Sequence, residues 1–176
     1  AILSDNVNGL QALVRCAYAN GHRRIAFIHG ERTAVTENRL AGFYKTCAEL
    51  GLEIPDVYVR EGVYHDADRC AEETNAAMDE LIAQDAKALI FDVRNNGGGY
   101  KNELVKVLDK ILPEGILFQS EDYQGSKQID RSDADCIDLP MAVLVNQDSY
   151  SAAEFFAAAI QEYDWGTVVG TKTVGK

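Results

Sequence analysis

Met141-Ala-Val-Leu-Val-Asn-Gln-Asp-Ser-Tyr-Ser-Ala-Ala-Glu-Phe-Phe156 holds the clearest structural signal in the chain. Met141 to Val145 is a short apolar, β-branched run, which predicts a buried strand. Asn146-Gln-Asp-Ser149 is turn chemistry. From Ser151 a helix is expected, because Phe155, Phe156, Ala159, Ile160 and Tyr163 recur at helical spacing. Strand, tight turn and a serine at a helix start is how an α/β enzyme presents a nucleophile. The hydroxyl stands above the sheet, and the first helical N–H groups beside it can receive negative charge. The same pattern also fits a plain helix cap on Ser149 or Ser151.

Upstream of this stretch, Ala88–Val93 predicts another strand, and Asn95-Asn-Gly-Gly-Gly99 follows it as a backbone-exposing turn. Asn102 to Ile111 is helical by period, with Leu104, Val105, Val107, Leu108 and Ile111 apolar. Gly115–Gln119 and Ser126–Asp130 flank Asp122-Tyr-Gln-Gly125, a hairpin pattern. Asp133-Ala-Asp135 concentrates negative charge, but no second ligand cluster accompanies it, so a solvated loop is expected, with no metal and no cofactor. Downstream, Trp165–Gly170 predicts the final strand.

The first half alternates in the same way. Asp5 can cap a helix to about Asn20, with Val7, Leu10, Val14, Ala17 and Tyr18 in one stripe. Arg24–His29 predicts a strand. Thr36 or Asn38 can cap a helix from about Asn38 to Leu50, which Gly51 ends. Val57–Arg60 predicts a strand, and Asp66 or Asp68 opens a helix to about Gln84.

Length and charge narrow the function classes. The chain has 176 residues, enough for one domain with a core or two very small ones, and its 47% hydrophobic and 26% charged residues are ordinary for a soluble globular protein. Its net charge of −11 argues against binding nucleic acid or anionic membrane through the general surface. No signal peptide is read, nor any apolar run of the roughly 18 residues that a membrane span needs. A soluble chain of undetermined compartment is expected. Cys16, Cys47, Cys70 and Cys136 are scattered and are expected as free thiols.

Residues 75–176 resemble the carboxyl-terminal-processing (tail-specific) serine peptidases. Leu89-Ile-Phe-Asp-Val-Arg-Asn-Asn-Gly-Gly-Gly-Tyr100 is similar to that family's Asp-Leu-Arg-Asn-Asn-(Pro/Gly)-Gly-Gly segment. Ser151 stands three residues before Glu154, where the family keeps its nucleophile, and Lys176 lies 25 residues on, where it keeps its lysine base. The resemblance implies a Ser151/Lys176 dyad and a peptide substrate. The oxyanion hole would come from the backbone N–H groups of Gly98 or Gly99 and of Ala152. Some relatives carry Asp eleven residues after the serine; here Glu162 stands there. The family's peptide-binding module is not read in this chain.

Residues 1–74 resemble the effector-binding core of lactose-repressor-like regulators, which share the fold of periplasmic sugar-binding proteins. The likeness rests on Ser4–Gly9, on Asn20-Gly-His-Arg-Arg-Ile-Ala-Phe-Ile-His-Gly30 and on Asn38-Arg-Leu-Ala-Gly-Phe43. It implies that Arg39 contacts a sugar or purine; a surface or capping role for Arg39 stands beside this, because the headpiece and the opposite lobe are absent.

The two resemblances meet within the helix at about residues 66–84. The expectation is a recombined chain, engineered or natural, whose fragments 1–74 and 75–176 merge into a single α/β domain. Its fold would be a three-layer, doubly wound, mostly parallel sheet of order 2-1-3-4-5 with a peripheral β-hairpin. The function expected first is a chimera with a vestigial Ser/Lys peptidase site. The alternatives are an active serine endopeptidase of the carboxyl-terminal-processing type, with a homo-oligomer left open as the source of missing walls, and a small-molecule binding module.

Overall fold

The computed structural model describes residues 5–29, 32–62 and 66–175. They fall into two units, one comprising Ala1–Asp66 with Ala76–Asp85 and the other Ala67–Asn75 with Ala86–Lys176. The protein is a mixed α/β chain with parallel sheets. Among the described residues no helix is long and apolar enough to cross a membrane.

In the first unit, helix α1 (Asn6–Ala19) starts where Asp5 accepts the Asn8 N–H at 3.0 Å. Helix α2 (Ala34–Glu49) starts ahead of the expected Asn38, because Thr33 is extended and its hydroxyl accepts the Thr36 N–H. Strands β1 (Phe27–His29) and β2 (Val59–Glu61) pair in parallel, Phe27 opposite Val59. Leu10, Val14, Phe43 and Cys47 are buried together, with Ile25, Phe27 and Val59 packed on them. The two helices close tightly at Gly42, where an added Cβ would sit 2.6 Å from the Val7 carbonyl oxygen.

The second unit takes the first turns of helix α3 (Ala67–Ala83), whose Ala71 N–H is accepted by the buried Glu103 at 3.0 Å. Strand β3 (Leu89–Asp92) pairs in parallel with β6 (Met141–Val145), and β6 with β7 (Thr167–Gly170). Helix α4 is Lys101–Ile111 and helix α5 is Ala152–Glu162. Period-2 alternation puts Leu89, Phe91, Val143 and Val168 on one face, where the Phe91 ring meets Phe156 of α5 at 5.0 Å. Strands β4 (Gly115–Glu121) and β5 (Lys127–Ser132) form the expected hairpin as an antiparallel sheet of their own. Asp122 closes its tip by accepting the N–H groups of Gln124 and Ser126. Phe118 of the hairpin lies 5.2 Å from Phe155.

The expected strand order is present in two pieces. Its 2-1 portion is the β2–β1 pair and its 3-4-5 portion is β3–β6–β7, but no described ladder joins β1 to β3. Strand β1 is three residues long and begins at Phe27 rather than at the expected Arg24.

Burial pushes the Cys47 thiol from 9.0 up to about 11. A group raised in the folded state favours folding below its unfolded value and loses that contribution as pH rises through the folded one. Between about pH 9 and about 11, therefore, the denaturation midpoint falls as the unfolded chain ionises Cys47 first. A thiol-alkylation time course at pH 8 is expected to modify the exposed Cys16 while Cys47 stays protected until the chain unfolds.

Candidate active site

Parallel strands β3 and β6 deliver both motif loops to one edge of their sheet. Asp92 pairs with Leu144 near the carboxyl ends of the two strands, the side on which open α/β sheets place ligands. The loop after β3 carries Val93 to Tyr100 into α4; the loop after β6 carries Asn146 to Ser151 into α5.

Side chains fasten the two loops together. The Ser149 hydroxyl, fully buried, donates to the Val93 carbonyl at 2.8 Å and accepts the Asn146 N–H at 3.0 Å. Asn146 Oδ1 accepts the Asn95 N–H at 2.9 Å, and Asn146 Nδ2 donates back to Asn95 Oδ1 at 2.8 Å. The Tyr150 N–H donates to the Asn96 carbonyl at 2.9 Å. Beneath them Asp92 grips Arg94 with both carboxylate oxygens, at 2.8 and 2.6 Å. Hydrogen bonding to Asp92 outweighs burial and holds the Arg94 guanidinium more firmly charged than usual.

Ser151 is the N-cap of α5, with φ 56° and ψ −121°. Its N–H donates to Glu154 Oε2 at 2.8 Å, while Glu154 Oε1 accepts the Gly175 N–H at 2.5 Å. Gly98 presses directly on this turn. Its φ is +82°, and an added Cβ would lie 2.7 Å from the Ala152 nitrogen and 2.9 Å from the Ser151 Cβ.

The N–H of Gly98 is engaged by Asn96 Oδ1 at 2.9 Å. Among the described residues no acceptor takes the N–H of Gly99 or of Ala152, and Ala152 is the first residue of its helix, where N–H groups lack intrahelical partners.

Lys176 is outside the described residues; Gly175 before it is the residue tied to Glu154. Glu162 is exposed at the far end of α5, roughly 16 Å along the axis from Ser151. Arg39 belongs to the first unit, where its Nε donates to Asn6 Oδ1 at 3.1 Å and links α2 to α1. The Asp133 loop uses its polar groups locally: Asp109 Oδ1 accepts the Asp133 N–H, and Asp133 Oδ1 the Asp135 N–H. From the sequence, Asn95 and Asn146 read only as turn residues and Glu154 only as the mark that locates Ser151; that Asn95 pairs with Asn146 and that Glu154 holds the Ser151 and Gly175 N–H groups comes from the structure.

The model of peptidase family S41 matches residues 57–176, and the chain belongs to that family. The match starts ahead of residue 75 and so takes in strand β2 and helix α3. The chloroplastic C-terminal processing peptidase of Tetradesmus obliquus is 35% identical over 121 residues, covering 68% of this chain and 26% of that protein. The solved photosystem II D1 C-terminal processing protease overlays with TM-score 0.55 at 35% identity, covering 60% of this chain and 28% of that one. The chain spans about a quarter of the length of these relatives. A sugar-binding regulator of the LacI family from Escherichia coli overlays 98% of this chain and 58% of its own, at 16% identity and TM-score 0.45, too low to carry an argument about residues 1–74.

Gly98→Ala is expected to destabilise the second unit by about 1–3 kcal/mol, because it combines a left-handed backbone with a clash against backbone atoms. Thermal unfolding checks this. A midpoint equal to that of the unaltered chain would mean that the glycine loop does not rest on the serine turn.

Proposed function

We propose that this chain supplies the catalytic core of a serine endopeptidase of the carboxyl-terminal-processing type, acting on peptides through Ser151 and Lys176. The observation that carries the reading is the single carboxylate of Glu154, which holds the Ser151 N–H with one oxygen and the Gly175 N–H with the other. The serine turn and the segment leading to Lys176 are thereby gathered at one group. Family membership, and relatives named as C-terminal processing peptidases at 35% identity, favour this reading over a vestigial site.

In the proposed reaction, neutral Lys176 takes the Ser151 hydroxyl proton as Oγ attacks the scissile carbonyl carbon. The N–H groups of Gly99 and Ala152 receive the oxyanion. The tetrahedral adduct collapses, the peptide C–N bond breaks, and the lysine ammonium protonates the departing amine. Water then repeats the sequence on the acyl-serine, releasing the acid and restoring the hydroxyl. An ammonium cannot accept the first proton, so the rate should rise with pH as the lysine loses its charge.

A second reading, a recombined chain with repressor-like residues 1–74, draws on the N-terminal motifs and on the division of the chain into two units within α3. It concerns origin and can stand beside either state of the site. The Arg39–Asn6 hydrogen bond supports a tie between helices rather than a ligand contact for Arg39.

Peptide hydrolysis, followed together with intact-mass detection of an acyl adduct, tests the main reading. Ser151→Ala should abolish the adduct, and Lys176→Ala should lower kcat by on the order of 10³-fold or more. Turnover that survives Ser151→Ala unchanged would remove Ser151 from the chemistry.

A further inference from the structure

We propose that Asn95 and Asn146 are positioning residues for the Ser151 reaction. Their paired amides set the offset between the two loops that bear the Gly99 and Ala152 donors. The inference rests on the peptidase reading above and extends it to residues that touch neither substrate nor reacting atoms.

The two donors come from loops that leave different strands, so no short stretch of chain fixes their spacing. Asn95 and Asn146 are 51 residues apart in sequence, yet each amide serves the other loop, at 2.9 and 2.8 Å. Asn95 sits at φ 55°, a left-handed conformation that asparagine tolerates better than most residues. In that conformation its own N–H reaches Asn146 Oδ1. Asn146 is 8% exposed, so bulk water is poorly placed to substitute for either bond. Asn146 Oδ1 also accepts the Asp148 N–H at 3.2 Å, which orders the turn leading to Ser151. Misplacing a catalytic group by about 1 Å can cost on the order of 100-fold in rate. A bond that merely stabilised the fold would instead reduce the amount of active protein and leave the turnover of each active molecule unchanged.

Three substitutions in the 176-residue chain separate these roles. Asn95→Gly retains the backbone N–H, tolerates the left-handed conformation, and removes the acceptor of Asn146 Nδ2 with the rest of the Asn95 side chain. Asn146→Asp turns the Nδ2 donor into an oxygen facing the Asn95 carbonyl. Asn95→Asp retains an acceptor for Asn146 Nδ2 and serves as the conservative rescue. Peptide turnover is normalised to the fraction of chain acylated at Ser151, and amide hydrogen exchange is read at Tyr150 and in strand β6. Asn95→Gly and Asn146→Asp are expected to lower normalised kcat by roughly 10- to 100-fold with KM changed by less than about 2-fold. Exchange at Tyr150 should quicken while β6 stays protected, and Asn95→Asp should recover most of the rate. Normalised kcat equal to that of the unaltered chain in Asn95→Gly overturns the proposal, even if the melting temperature falls. If the unaltered chain forms no acyl-serine, the peptidase reading itself falls and takes the positioning role with it, an outcome distinct from active but unaffected variants.

Discussion

The buried Ser149 hydroxyl joins the end of one strand to the end of its neighbour, and the site is assembled on that joint. Where β3 and β6 stop, their ladder stops too: the Asn146 N–H would be left buried and unpaired, and the half-buried Val93 carbonyl would keep only a long bond from the Asn96 N–H at 3.3 Å. Ser149 satisfies both, at 2.8 and 3.0 Å. An unpaired buried polar group costs about 1–3 kcal/mol, so the alternative arrangements of these two loops are disfavoured before any catalytic demand is considered. With the strand ends held, Asn146 and Asn95 can pair across the loops, and Gly98 can come to rest on the Ser151 turn.

Glu154 serves geometry and works against chemistry. A carboxylate in the first turn of α5 is favoured by the helix dipole by about 0.3–1 kcal/mol, and this one also bridges Ser151 to Gly175. A negative charge, however, stabilises any ammonium brought close to it. A lysine acting as base beside such a group must lose its proton through burial that outweighs the attraction, and water must be excluded for that burial to be effective. The same exclusion of water would strengthen the pull of the Gly99 and Ala152 N–H groups on an oxyanion.

Much of this was legible in the sequence, and the limits have physical causes. Strand β6, helix α5 and the hairpin were readable because their signals are local: an apolar run, a 3.6 period, an Asp-x-x-Gly tip. That Ser151 stands at the start of α5 was readable from its place in that pattern. The start of α2 was misread because Thr33 lies among polar loop residues and declares itself as a cap only through its bond to Thr36. The alternation of strands and helices implies parallel pairing, and the β1–β2, β3–β6 and β6–β7 ladders are parallel, but which strands are neighbours is set by nonlocal pairing that no local run encodes. Asn95 and Asn146 carry no mark of their partnership, since a bond across 51 residues leaves no local period.

The backbone at Ser151 bears on whether its serine is a cap or something more. An ordinary N-cap residue adopts the β region, from which its side chain reaches the helix N–H groups without strain. Ser151 instead has φ 56°, a conformation that costs a non-glycine residue about 1–3 kcal/mol unless its surroundings impose it. Four non-glycine residues of the described chain have positive φ, and two of them, Asn95 and Ser151, stand on the two joined loops. A helix start alone asks for neither. Local preference has yielded here to the network between the loops, which holds Asn95 and Ser151 in positive-φ backbone on either side of the joint. The capping box between Ser151 and Glu154 is present all the same, so the strained backbone is an addition to the cap and not a departure from it.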